Sequence, residues 1–150
     1  EEVNLMDILR VSHRELQHSN FLAWFFNPNE THNLGDFALK EFIKIYYKEN
    51  QFQNLGNGAG LSVFEFVQLD FDDLVIRREY KNIDLIFLSK KNQLCIVIEN
   101  KIYSTESKGQ LLKYRNIIES EFSEFEHKIY IYLSLEDQQI SESEQDYISN

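Results

Sequence analysis

The chain has one cysteine, one proline and five glycines in 150 residues. A single thiol excludes an internal disulfide framework, and Cys95, inside an apolar run, reads as a small core residue rather than a nucleophile. No run of about 18 apolar residues is present to span a bilayer. The opening EEVNLMDILR also lacks the basic and apolar regions of a secretion signal. A soluble protein of the reducing cytoplasm, with no membrane partner, is therefore expected. The one glycine-rich piece, NLGNGAG at residues 54–60, is not followed by the Gly-Lys-Ser/Thr of a phosphate loop and reads as a flexible connection.

What is present is apolar content of 43%, ordinary for one globular domain covering residues 1–150. The net charge of −10 argues, as a bulk quantity, against binding a polyanion. Its distribution differs from its sum. Residues 77–115 hold nine Lys or Arg against four acids, a surplus of +5, which leaves −15 for the remainder. From Glu119 to Asp146 nine acids face Lys128 alone, which reads most simply as a solvated acidic surface, with a protein-binding surface or a nucleic-acid mimic as the alternatives.

The N-terminal third has helical spacing. Ser12-His-Arg-Glu15 fits an S-x-x-E capping box, and the pattern runs to Asn27 before Pro28 stops it. A second helix is expected from Gly35-Asp36 to about Asn50. The period then shortens. Four strands are predicted at Val63–Leu69, Leu74–Tyr80, Ile83–Leu88 and Leu94–Ile102, antiparallel at first because their connections are too short for crossovers. Leu111, Tyr114, Ile118, Phe122 and Phe125 then form one helical stripe, and Ile129–Leu135 reads as a strand parallel to Leu94–Ile102. The predicted order is α-α-β-β-β-β-α-β. The tail after Leu135 reads as a frayed end or as the start of a helix in a longer parent chain.

The run IVIENKI, residues 96–102, has the β-branched content of a buried strand yet carries Glu99 and Lys101. Alternation puts Val97, Glu99 and Lys101 on one face, and Asp84 interrupts the otherwise apolar IDLIFL beside it. Buried charges need partners or a metal. One explanation is a structural ion pair of Lys101 with Asp84 or Glu99. The other is a site for a hard divalent cation such as Mg²⁺ held by two carboxylates, with the lysine orienting water or neutralising a phosphate.

Asp84, fourteen intervening residues and then Glu99-Asn100-Lys101 resemble the D-x(n)-E-x-K signature of the PD-(D/E)XK nuclease superfamily. Glu15-Leu-Gln-His18-Ser19 through Pro28, His32-Asn-Leu-Gly35-Asp36, Arg77-Arg78-Glu-Tyr-Lys-Asn-Ile-Asp84, IVIENKI and Gln110-Leu-Leu-Lys-Tyr114 look like one bacterial branch of it. The resemblance implies an α/β fold with a restriction-endonuclease-like αβββαβ core, here with an additional N-terminal helix and an additional strand, and a mixed central sheet flanked by helices. It implies that Asp84 and Glu99 bind Mg²⁺, for which Mn²⁺ can substitute, and that Lys101 assists the attacking water. It also implies that Glu15 completes the metal site, against the alternative that Glu15 only caps its own helix. Ile83 stands where the motif's name has proline, which contributes no ligand.

His18 and Ser19 share the helical face of Glu15 and are candidate substrate contacts, as are Gln110 and Arg78, the last sharing strand parity with Ile76 and Tyr80; a packed histidine and a surface ion pair of Arg78 are the plainer alternatives. Tyr114 reads as core. The expected activity is metal-dependent phosphodiester hydrolysis, with DNA the expected substrate by family analogy. An alternative of another class is a catalytically silent nuclease-like binding or regulatory module in bacterial defence against foreign DNA. A homodimer, or a protein partner on the acidic C-terminal region, is compatible with either.

Overall fold

The structure is a computed structural model and describes residues 11–50, 60–100 and 109–133, apart from the side chains of residues 11–15 and 50. Three helices come first, α1 (Val11–Phe26), α2 (Phe37–Asn50) and α3 (Val63–Gln68). Strands β1 (Val75–Tyr80), β2 (Ile83–Ser89) and β3 (Leu94–Asn100) follow, then α4 (Gln110–Glu121) and β4 (His127–Leu133). The four strands form one sheet in the order β1-β2-β3-β4, antiparallel except for the parallel β3–β4 pair. This is a mixed sheet flanked by helices with the expected αβββαβ core.

Alternation along β2 and β3 feeds two cores, which is why both strands are apolar on each face. Leu85, Phe87, Ile96 and Ile98 pack against Leu22 and Phe26 of α1, Leu39 and Ile43 of α2 and Phe66 of α3. Ile86, Leu88, Cys95 and Val97 pack against Leu111, Tyr114 and Ile118 of α4 with Phe122 and Phe125. The predicted stripe, Tyr114 included, is therefore buried, but α4 ends at Glu121, so Phe122 and Phe125 join it from beyond the helix. Cys95 is a buried free thiol, as expected. No described helix is long and apolar enough to cross a membrane.

Three expectations are corrected. Val63–Leu69 is not a strand: the Ser62 hydroxyl accepts from the Glu65 backbone N–H at 3.2 Å and the Glu65 carboxylate accepts from the Ser62 N–H at 2.7 Å. That reciprocal capping box starts a helix, so local capping wins over β propensity, and among the described residues the sheet has four strands without an additional one. Conversely, Ser12 lies inside α1 rather than at its N-cap, so the box expected with Glu15 does not start this helix.

The third correction concerns β1. Glu79 takes a left-handed φ of 54° and is left out of a register in which Arg78 opposes Leu85 and Tyr80 opposes Ile83. The kink ends the alternation. Tyr80 leaves the face of Ile76 and Arg78 and packs on Phe122 on the α4 side. Lys81 and Asn82 follow with φ of 50° and 69°, the left-handed pair that a two-residue type I′ hairpin requires.

Candidate active site

The sheet brings Asp84 and Glu99 together at one end. Leu85 opposes Ile98, so the next step of the β2–β3 ladder sets Asp84 opposite Glu99 on the α4 face. Glu99 is fully buried and Asp84 half-buried. Each carboxylate reaches the other's strand: the Asn100 backbone N–H donates to Asp84 Oδ2 at 2.6 Å, and the Asp84 N–H donates to Glu99 Oε2 at 3.5 Å. The first is a short charge-assisted bond and the second a long, weak one. Asp84 is thereby fixed against β3.

Two carboxylates at opposed positions repel each other, and a cation at that strand end removes the repulsion. The donor set suits a hard divalent ion, since carboxylate oxygens are the ligands such ions take. Among the described residues no group of three His, Cys, Asp or Glu side chains is gathered to hold a metal ion. The expected third ligand, Glu15, lies on α1 with its side chain outside the described residues, and Lys101 lies outside them altogether.

The other face of the same strand end belongs to α1. Asn100 points away from Glu99 by alternation, is fully buried, and its side-chain amide meets His18 Nδ1 at 2.9 Å. His18 therefore reaches the site through Asn100, from the opposite side of the sheet to the carboxylates. Ser19 beside it is only 3% exposed, so it faces the interior rather than solvent. Gln110 is the first residue of α4 and its amide donates to the hydroxyl of buried Tyr114 one turn on. Arg78 is exposed on the edge strand and lies on the α1 side beside Trp24 and Asn20, not with the two carboxylates.

Among the described residues, four cations of the positive stretch have partners other than the two carboxylates. Lys91 sits at the other end of the sheet, paired with Asp70 and Asp72 at 2.7 and 3.0 Å. Lys81 pairs with Glu121. Arg77 lies over the rings of Tyr80 and Phe122, and Arg115 over Tyr130. These cations are spent on stabilising the fold.

Sequence reasoning quoted Asn100 within Glu99-Asn100-Lys101 and gave it no role. Strand parity was the signal available, because it turns residue 100 toward α1 when Glu99 faces α4. A family model described as the PD-(D/E)XK nuclease superfamily matches residues 3–150. No match was found among curated proteins or among solved structures.

Proposed function

The chain belongs to the PD-(D/E)XK nuclease superfamily, and from that premise we propose that it is a Mg²⁺-dependent deoxyribonuclease that hydrolyses phosphodiester bonds by attack of water. The observation that supports the reading best is the pairing of Asp84 and Glu99 at one strand end, Asp84 accepting from the Asn100 N–H and Glu99 from the Asp84 N–H. In this reading Asp84 and Glu99 hold the metal ion, with Glu15 reaching it past the strand end from the α1 side and Mn²⁺ an effective substitute. Bound there, the ion would acidify a water molecule and neutralise charge developing on phosphate.

The chain's own groups do the positioning. The Asn100 N–H holds the Asp84 carboxylate in place, and His18 holds the Asn100 side chain from the far face of the sheet. Lys101, next in the motif, orients the attacking water and offsets negative charge on the phosphate. Gln110 at the start of α4 and Arg78 on the edge strand are the substrate-facing groups, while His18 and the inward-facing Ser19 support the strand end from the α1 side. A net charge of −10 makes binding to DNA weak and steeply salt-dependent.

The test is cleavage of plasmid and of DNA and RNA oligonucleotides with Mg²⁺ and with a chelator. DNA cleavage that needs Mg²⁺ and is lost in Lys101→Ala is expected. Cleavage that persists in chelator would overturn the metal-dependent mechanism, and cleavage of RNA alone would reassign the substrate.

A further inference from the structure

Resting on the nuclease reading, we propose that a cavity between α1 and the edge strand β1 is a pocket for one unpaired nucleobase of the substrate strand. The cavity measures about 260 Å³ and is lined by Asn20, Trp24, Asn27, Glu30, Ile76 and Arg78. That volume lies just below the usual range for ligand sites and suits a single planar ring system.

Trp24 supplies the stacking surface. It is 38% exposed although it is the chain's one tryptophan, and Phe21 beside it is 52% exposed. The indole is fixed before any ligand arrives. Its Nε1–H donates to Thr31 Oγ1 at 3.2 Å, and the His32 ring meets it edge to face with centroids 5.1 Å apart. A ring already held in place loses little conformational freedom on binding. Stacking on an aromatic face accepts any base.

The polar groups orient the guest. Asn27 Oδ1 accepts from the Asn29 backbone N–H at 3.0 Å, which leaves the Asn27 amide N–H groups to act as donors. The Glu30 carboxylate accepts from base N–H groups and repels a phosphate from the cavity. Arg78, exposed on the strand, takes the phosphate outside it. A base inside and its phosphate at the rim is the arrangement these charges favour.

The location fits a substrate strand. His18 marks the carboxylate end of the sheet through Asn100, and Trp24 lies six residues further along α1, about 9 Å. Arg78 is two ladder steps from Ile98, the residue before Glu99, or about 10 Å. The carboxylates lie on the α4 face and the pocket on the α1 face, so a substrate strand reaches both by passing round the strand end, which puts the pocketed base a few nucleotides from the carboxylates. A base within a duplex has both faces covered and cannot enter without leaving its stack. Single-stranded, frayed or flapped DNA should therefore bind better than blunt duplex.

Trp24 fluorescence gives the test, with the whole chain in chelator so that nothing is cut. A single-stranded DNA oligonucleotide is expected to quench the emission, whereas an abasic strand of equal length and a blunt duplex should not. Labelled single strand should bind Trp24→Ala and Arg78→Ala at least about fivefold more weakly by anisotropy. Trp24→Phe, which keeps a ring, should retain most of the affinity. Equal quenching by the abasic strand, or unchanged affinity in both alanine variants, overturns the pocket. Cleavage in Mg²⁺ is scored separately: cutting without base-dependent quenching removes the pocket and leaves the nuclease, and quenching without cutting does the reverse.

Discussion

The side-chain amide of Asn100 donates to Nδ1 of His18 at 2.9 Å, which ties the first helix to the last residue of β3 beside Glu99. Asn100 is fully buried, so deleting the imidazole strands a buried amide. His18→Ala and Asn100→Ala should each cost about 1–3 kcal/mol in urea unfolding. The double variant should lose less than the sum, by about 0.5–1.5 kcal/mol. Strictly additive losses would show that the two side chains do not act as a unit.

Helix α3 depends on its cap. Ser62→Ala should cost about 1 kcal/mol, because the Glu65 N–H loses its acceptor. The backbone N–H of Ser62, then its side chain, hold the Glu65 carboxyl below its ordinary range. A depressed carboxyl stabilises above its unfolded pKa of about 4.3 and loses that benefit as pH falls through the folded value. Glu65→Gln should therefore be less stable than the parent at pH 7 and equal to it well below pH 4. A difference that stays constant with pH would exclude the carboxylate as the source.

The same cap shows how far the sequence could be read. Ser62-Val-Phe-Glu65 and Ser12-His-Arg-Glu15 carry one pattern, yet Ser62 stands at the N-cap of its helix and Ser12 lies inside α1. The pattern states that two bonds are available, not which neighbouring conformation competes for them. Around residue 63 the β-branched and aromatic side chains favoured a strand on paper, and the reciprocal bonds decided otherwise. IVIENKI was legible because period-two alternation is rigid: once Glu99 faces α4, Asn100 must face α1. The kink at Glu79 was not, since a left-handed glutamate leaves no mark in composition, and so Tyr80 was put on the wrong face. Asp84 opposite Glu99 followed from a two-residue hairpin and a short β2–β3 loop, which fix register. The pocket at Trp24 needed the edge strand and the loop after α1 in three dimensions.

Cys95 is shielded on the α4 side of the sheet, and burial pushes its thiol up to about 12. The folded chain should react with a thiol reagent at pH 8 only as fast as it opens, and fully in denaturant. The linkage has a definite sign. Above about pH 8.5 the unfolded thiol loses its proton while the folded one keeps it, so the unfolded state binds fewer protons and stability falls as pH rises. Cys95→Ala should flatten the decline between about pH 8.5 and 10, before burial-raised tyrosines such as Tyr47 add to it. Rapid modification of the native chain at pH 8 would contradict the burial.

Asp84→Asn and Glu99→Gln separate a metal site from a structural pair of charges. Both amides keep a carbonyl oxygen for the backbone N–H groups of Asn100 and Asp84, so the strand end should retain its shape. Each substitution removes a charge that a cation needs, and each should lower turnover at least about 100-fold. The parent chain should be stabilised by Mg²⁺, by about 2.7 kcal/mol when the ion is at 100 times its dissociation constant. For 150 residues that is roughly a 5–10 °C rise in Tm. In Asp84→Asn the rise should shrink to near zero while the Tm without metal stays within a few degrees of the parent. A Mg²⁺-dependent rise that survives both substitutions would place the ion elsewhere on the chain, and an absent rise in the parent would leave the two carboxylates as a structural pair.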